Sequence, residues 1–125
     1  MAKLSLRIEL APGEAIGPGK VRLLELIGET GSIAAAGRAM GMSYRRAWLL
    51  VDALNRLFAQ PVVSTAQGGK SGGGAVVTGF GQALIGHYRG IERLAGDAAG
   101  DHLRALDQAH RDQKGSPQLP EPAAG

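Results

Sequence analysis

The chain opens on an alternation. Over residues 4–10, Leu4, Leu6, Ile8 and Leu10 are apolar while Ser5, Arg7 and Glu9 are polar, the period-two pattern of a half-buried strand. Pro12-Gly13 ends the run and Pro18-Gly19 closes the loop that follows. From Lys20 the period lengthens to 3.6. Val21, Leu24 and Ile27, widened by Leu23 and Leu26, predict a helix with one buried face that finishes near Gly28 and Gly31. Ser32 is placed to cap a short helix of small residues over 33–40, and Gly41 follows where a left-handed residue is wanted. Ser43 is placed to cap a third helix over 44–58. Two helices joined by a tight glycine-containing turn form a helix-turn-helix pattern.

Beyond Pro61, the β-branched runs VVST (62–65) and AVVT (75–78) flank a glycine-rich stretch, which predicts a hairpin. Thr78 is placed to cap a fourth helix. On it Phe80, Leu84, His87 with Tyr88, Ile91, and Leu94 with Ala95 share a face, and Gly96 and Gly100 loosen or break it. Residues 101–114 are expected to resume as a polar helix, and 115–125, with three prolines and little to bury, as a disordered tail. The predicted fold is mainly α with a small β-hairpin wing: a winged helix-turn-helix with a long C-terminal helix.

The third helix has two unlike faces. At about 100° per residue, Ala47, Leu50, Val51, Leu54, Leu57 and Phe58 gather on one side, and Arg45, Trp48, Leu49, Asp52 and Arg56 on the other. An exposed Trp and Leu mark a contact surface. Trp48 has two readings, as cover for the hairpin or as part of that surface, and Tyr44, at the edge of the core side, has the same two. In helix-turn-helix proteins the first residues of the second helix reach base edges while the first helix crosses the backbone. Ser43, Tyr44, Arg45 and Arg46 are placed for that work, with Ser32 and Arg38 on the preceding helix facing the backbone. Arg reads guanine bidentately, and hydroxyls hold phosphates.

Charge sharpens this picture. The net charge is only +3, but residues 30–81 hold Arg38, Arg45, Arg46, Arg56 and Lys70 against the single acid Asp52. Basicity concentrated in one segment is what a polyanion-binding surface requires. Solvated helix arginines would produce the same count.

The stretch GGKSGGG (68–74) imitates a phosphate loop. Gly69-Lys70-Ser71 supply the G-K-S of that motif, but Ser64 stands where its first glycine belongs, and the glycines after Ser71 oppose the helix it needs. As the wing of a helix-turn-helix, its glycines let the backbone approach a phosphate closely. Lys70 and Ser71 are then candidates for a backbone or minor-groove contact.

Several classes recede. No apolar run approaches bilayer-spanning length, MAKLSLRIEL lacks the pattern of a signal peptide, and there is no cysteine for a disulfide or thiolate metal site. A cytoplasmic, cofactor-free protein with no membrane partner is expected. His87, His102 and His110 lack the i, i+4 spacing of a helical metal pair. No Ser-His-acid set stands out, so an enzyme is not expected.

Taken together, GSIAAAGRAMGMSYRRAW, LFAQPVV and GGKSGGGAVVTGFGQALI resemble the N-terminal DNA-binding domain of the ModE-type molybdate-responsive transcription regulators. The resemblance covers about residues 20–94. Its most specific parts are SY-x-x-AW, at Ser43, Tyr44, Ala47 and Trp48, and the glycine wing. LysR-type helix-turn-helix domains share the looser GS-x-x-x-A and T-x-x-G. The resemblance implies a dimeric DNA-binding protein controlling genes of molybdate uptake or molybdenum enzymes, with residues 1–100 as the DNA-binding and dimerisation unit. Members of that family carry Mop-type molybdate-binding domains, for which the residues after the match are too few. Sensing is therefore not carried over: binding is constitutive, a separate molybdate-sensing protein reports the metal, or the effector differs.

Double-stranded DNA and a second copy of the chain are the expected partners. Gly86 and Gly90, four apart on the fourth helix, would permit close helix approach. Two other readings stay open. One is a small oxyanion-binding or sensing protein for molybdate or tungstate, using N–H groups around Gly69–Gly74 as an anion nest. The other is a winged-helix protein-interaction module.

Overall fold

The computed structural model describes residues 1–66, 74–111, 120 and 122. Its elements run β1 (Ile8–Ala11), β2 (Glu14–Ile16), α1 (Pro18–Thr30), α2 (Ile33–Ala39), α3 (Tyr44–Leu57), β3 (Val63–Ala66), β4 (Gly74–Val77), α4 (Gly79–Ala98) and α5 (Gly100–Arg111). The chain is mainly helical, with two small antiparallel hairpins, compatible with a winged helix-turn-helix.

The N-terminus departs from the sequence reading. Pro12-Gly13 does not end an isolated strand but turns it back on itself, with Gly13 at φ 78°. Ile8 pairs with Ile16 and Glu9 with Ala15. The returning strand has three residues, too short to show a period. Pro18 likewise opens α1 rather than closing a loop; at the first helical position its missing N–H leaves no bond unmade, and its φ is already helical. Residues 4–7 lie outside the strand, yet the Leu6 carbonyl is held, accepting from the Tyr88 hydroxyl at 2.7 Å.

The helical core follows the predicted period. Val21, Leu23, Leu24, Leu26 and Ile27 of α1 are buried, together with Ile33 and Ala36 of α2 and Ala47, Val51 and Leu54 of α3. Ser32 accepts from the Ala35 N–H at 3.0 Å and Ser43 from the Arg46 N–H at 3.1 Å, so both serines cap. The α2–α3 turn passes through Gly41 at φ 71°, where a side chain would be strained. At Gly37 a Cβ would lie 2.9 Å from the Ala47 Cβ. That lack of a side chain lets α3 lie close on α2.

The β3–β4 hairpin is tied to three helices. In register, Val63 pairs with Val77 and Ala66 with Gly74. Val62, Val63, Ala75 and Val77 turn inward. The Ala75 N–H donates to the Gly31 carbonyl at the end of α1, at 2.9 Å. The Thr78 hydroxyl donates to the Pro61 carbonyl at 2.7 Å while capping α4 by accepting from the Gly81 N–H at 3.0 Å. A Cβ on Gly81 would sit 2.3 Å from the Val62 carbonyl oxygen, so only glycine lets α4 start against the hairpin.

The fourth helix differs from its expected face. Leu84 and Tyr88 are buried, but Ile91 and Leu94 are 43% and 68% exposed. Among the described residues the stripe is left largely uncovered beyond Tyr88, because 20 helical residues span about 30 Å. Gly96 does not break α4, which continues to Ala98, and the polar helix starts at Gly100 and is described to Arg111, residues 112–114 of the expected 101–114 lying outside the described residues. The expected tail over 115–125 lies outside the described residues, apart from Pro120 and Pro122. No described helix is long and apolar enough to cross a membrane.

Candidate nucleic-acid interface

The helix-turn-helix presents the first two turns of α3 to solvent. With Ala47 facing inward, the exposed residues fall into rows four apart, which lie one above the other on a helix. Tyr44 stands below Trp48, Arg45 below Leu49, and Arg46 below the half-buried Leu50. Tyr44 is 58% exposed, Trp48 45% and Leu49 48%. Tyr44 is therefore not a core residue. Trp48 combines its two readings, since one edge borders a groove shared with Ile33, Val51, Asn55, Val63 and Thr65 of the core and hairpin. Arg45 and Leu49 form the central ridge, with a shallow depression on either side, one bounded by Tyr44 and Trp48 and the other by Ser43 and Arg46.

Electrostatic pairing separates the arginines into two groups. Arg56 donates to Asp52 at 2.9 Å, so the single acid of the central segment is already engaged. Arg22 reaches Glu25 and Glu29, Arg89 reaches Glu25 and Glu92, and Arg104 pairs with Asp101. Among the described residues, Arg7, Arg93, Arg38, Arg45 and Arg46 form no ion pair and are exposed, and the last three lie on neighbouring elements. These three cations project from α2 and the first turn of α3 with their charge uncompensated, the condition for binding a polyanion.

The other predicted site residues divide. Ser32 and Ser43 spend a lone pair on their caps, which leaves each hydroxyl proton to donate. Ser32 is half-buried and Ser43 exposed. Lys70 and Ser71, and with them the suggested anion nest, lie outside the described residues.

One residue that couples α3 to the hairpin was not singled out by sequence. The Asn55 side chain accepts from the Val62 and Val63 N–H groups at 2.7 and 3.1 Å and donates to the Val63 carbonyl at 3.0 Å. It ties the last turn of α3 to the start of β3. The only signal for it was an amide at an inward-leaning helix position, just ahead of Pro61 and a strand.

Away from this face, the α1–α4 contact is rigidly paired. Arg89 grips Glu25 through two nitrogens at 2.9 and 3.1 Å and Glu92 through a third at 2.7 Å. Its hydrogen bonds hold the Glu25 carboxyl below the usual glutamate range, against the upward push of partial burial. Burial raises the Tyr88 phenol.

A separate cleft of about 520 Å³ lies between the first hairpin and the helix-turn-helix, with Ile16, Met40, Met42 and Leu50 inside and Arg7, Lys20 and Arg46 around it. Among the described residues no three His, Cys, Asp or Glu side chains cluster as a metal site.

No family model matches the chain. It is similar to the "Molybdenum-pterin-binding protein MopB" of Rhodobacter capsulatus, 54% identical over 80 residues that make up 64% of this chain and 30% of the relative. It is 46% identical to MopA of the same organism over 100 residues, 80% of this chain and 37% of the relative. It is 38% identical to the "DNA-binding transcriptional dual regulator ModE" of Escherichia coli K12 over 87 residues, 70% of this chain and 33% of that one. The chain thus spans about a third of the length of the curated relatives it matches. Over its N-terminal region it is a homologue of the ModE regulators and the MopA and MopB proteins.

Proposed function

We propose that this homologue of the ModE regulators binds double-stranded DNA as a transcription regulator. The first turns of α3 would enter the major groove, with α2 and the β3–β4 connection on the backbone or minor groove. The observation that carries this reading is the exposed face of α3, where Arg45 and Arg46 stand without carboxylate partners. Arg45 would read a base edge. Arg38, Arg46, Ser43, Tyr44 and, on the wing, Lys70 and Ser71 would hold phosphates. The printed names of the relatives support genes of molybdenum uptake or use as the targets. A homodimer would supply two recognition helices to a two-fold site, and the exposed Ile91 and Leu94 of α4 and Leu106 of α5 are candidates for its contact.

Fluorescence anisotropy tests the reading. The protein is titrated with duplex from its own upstream region and with scrambled duplex, over a salt series. Tighter binding to the native duplex that survives moderate salt is expected, and is lost in Arg45→Ala. Absence of binding to any duplex at low salt would replace this reading with a protein-interaction module. Light scattering at micromolar concentration should return a dimer mass, and a monomer mass would remove the dimer.

The MopA and MopB names favour a second reading, a small oxyanion binder. The 520 Å³ cleft is rimmed by cations, but Lys20 is already bonded to the Ala15 carbonyl at 3.0 Å and the floor is apolar. That surface is a poor exchange for a hydrated tetraoxyanion's water. A silent calorimetric titration with molybdate and tungstate would dismiss this second reading.

A further inference from the structure

On an exposed helix carrying three unpaired or hydroxyl-bearing rows, the residue that solvent exposure explains least is Leu49. It is 48% exposed and lies one turn above Arg45, on the ridge between the two depressions of α3. Trp48 is beside it, 45% exposed. The ridge therefore changes character along its length: cationic in the first turn, apolar in the second. Leu49 lies outside the core, since the buried side of α3 is formed by Ala47, Val51 and Leu54, and about half of its apolar surface stays in water.

A duplex offers such a side chain only one kind of group. Phosphates, sugars and most base-edge atoms are polar or hydrogen-bonding, and the C5-methyl of thymine is the apolar feature of the major groove. We propose that Leu49, flanked by Trp48, is a specificity-determining residue that packs on thymine methyl groups. It would do so in the same groove where Arg45 reads a guanine. This rests on the DNA-binding reading above. The neighbouring cations choose the occupant: Arg45 and Arg46 in the first turn of α3, with Arg38 on α2, carry charge suited to phosphate, and the one acid of residues 30–81, Asp52, is already paired with Arg56. A protein partner would need a matching acidic rim around an apolar knob.

The spacing makes the proposal quantitative. Four residues of helix rise about 6 Å, and base pairs step about 3.4 Å. With α3 running along the groove, the thymine lies within about two base pairs of the guanine that Arg45 contacts.

The test begins with duplexes selected by the full chain from a random-sequence pool. In the tightest duplex each thymine is replaced singly by uracil, which removes only the methyl, and each guanine by 7-deazaguanine, which removes the N7 acceptor. Affinities are read by anisotropy for the wild type and for Leu49→Ala. Expected is a loss of about fourfold for each methyl that is buried, at one or two thymines, within two base pairs of the guanine whose substitution matters to wild type but not to Arg45→Ala. In Leu49→Ala the thymine-to-uracil ratio at those positions should fall to near one, with the salt dependence unchanged. The proposal is overturned if every uracil duplex binds as tightly as its thymine parent, or if Leu49→Ala keeps the discrimination. In either case specific DNA binding persists, so only the role of Leu49 is lost and its exposure belongs to another partner. If the pool enriches no sequence at all, the DNA-binding reading fails and this inference with it. The uracil series on wild-type protein needs no variant to fold.

Discussion

Arg89 and Arg45 are the same side chain put to opposite uses. Arg89 lies between α1 and α4, bonded to Glu25 and Glu92 and stacked at 5.5 Å over the Tyr88 ring. All of its charge is spent inside the molecule. Arg45, at the start of α3, has no carboxylate partner among the described residues and faces solvent beside Arg46. The contrast teaches where this fold holds itself together and where it is prepared for something else. A guanidinium already satisfied by two carboxylates gains little from a phosphate. An unpaired one keeps its full attraction for it. Counting arginines cannot make this distinction, and the pairing can.

Breaking the structural side of the comparison should produce the largest effects. Asn55→Ala removes the acceptor of two N–H groups in the buried Val62–Val63 segment. Stranding such donors costs about 1–3 kcal/mol each, so a fall in Tm of roughly 10 °C or more is expected for a domain of this size. Calorimetry measures it. On the proposed DNA-binding reading, specific affinity should also weaken, because the β3–β4 hairpin loses its tie to α3.

Arg89→Met comes next, and is the direct counterpart of Arg45→Ala. It leaves the partly buried Glu25 without its main partner, at a cost of about 1–2 kcal/mol. DNA affinity of the folded protein should stay within about twofold. Arg45→Ala should do the reverse: Tm within roughly 2 °C of wild type, since surface substitutions stay within about 0.5 kcal/mol, and specific affinity lower by about tenfold or more. If both variants lose stability and affinity together, the two arginines are not functionally separate.

A smaller effect follows from Glu25. Its carboxyl is held below the ordinary value near 4.5, chiefly by hydrogen bonds from Arg89. A depressed folded-state pKa contributes stability that is present above the unfolded value and is lost as pH falls through the folded one. Stability should therefore decline below about pH 4.5, and less steeply in Glu25→Gln, as chemical denaturation across pH 3–6 would show. The smallest expected change is in Arg38→Ala. It should weaken native and scrambled duplexes alike and reduce the salt slope by about one. A loss confined to the native duplex would mean that Arg38 reads sequence and does not merely touch phosphate.

Sequence by itself determined the parts of this protein that are written locally. The caps at Ser32, Ser43 and Thr78, the left-handed turn at Gly41, the buried stripes of α1 and α3 and the exposed Arg45 and Leu49 on the far side of α3 all follow from spacings of a few residues, whereas Tyr44 and Trp48 had two readings until the fold placed them. Helical period and capping act within one or two turns, so a linear pattern records them. Only the tertiary structure decided what depends on a distant neighbour. β2 exists because Ile8 pairs with Ile16, and its three residues carry no periodic signal. The stripe of α4 is continuous in sequence, but among the described residues Ile91 and Leu94 are left exposed, because coverage is set by the extent of the other elements and not by the stripe. Asn55 became a clamp when Val62 and Val63 came within its reach. The Asp52–Arg56 pair is itself local, four residues apart on α3, but that no carboxylate from elsewhere reaches Arg38, Arg45 or Arg46 among the described residues depends on the folded chain. Hydrogen bonds and ion pairs act over about 3–4 Å, and which groups meet at that range is a property of the folded chain.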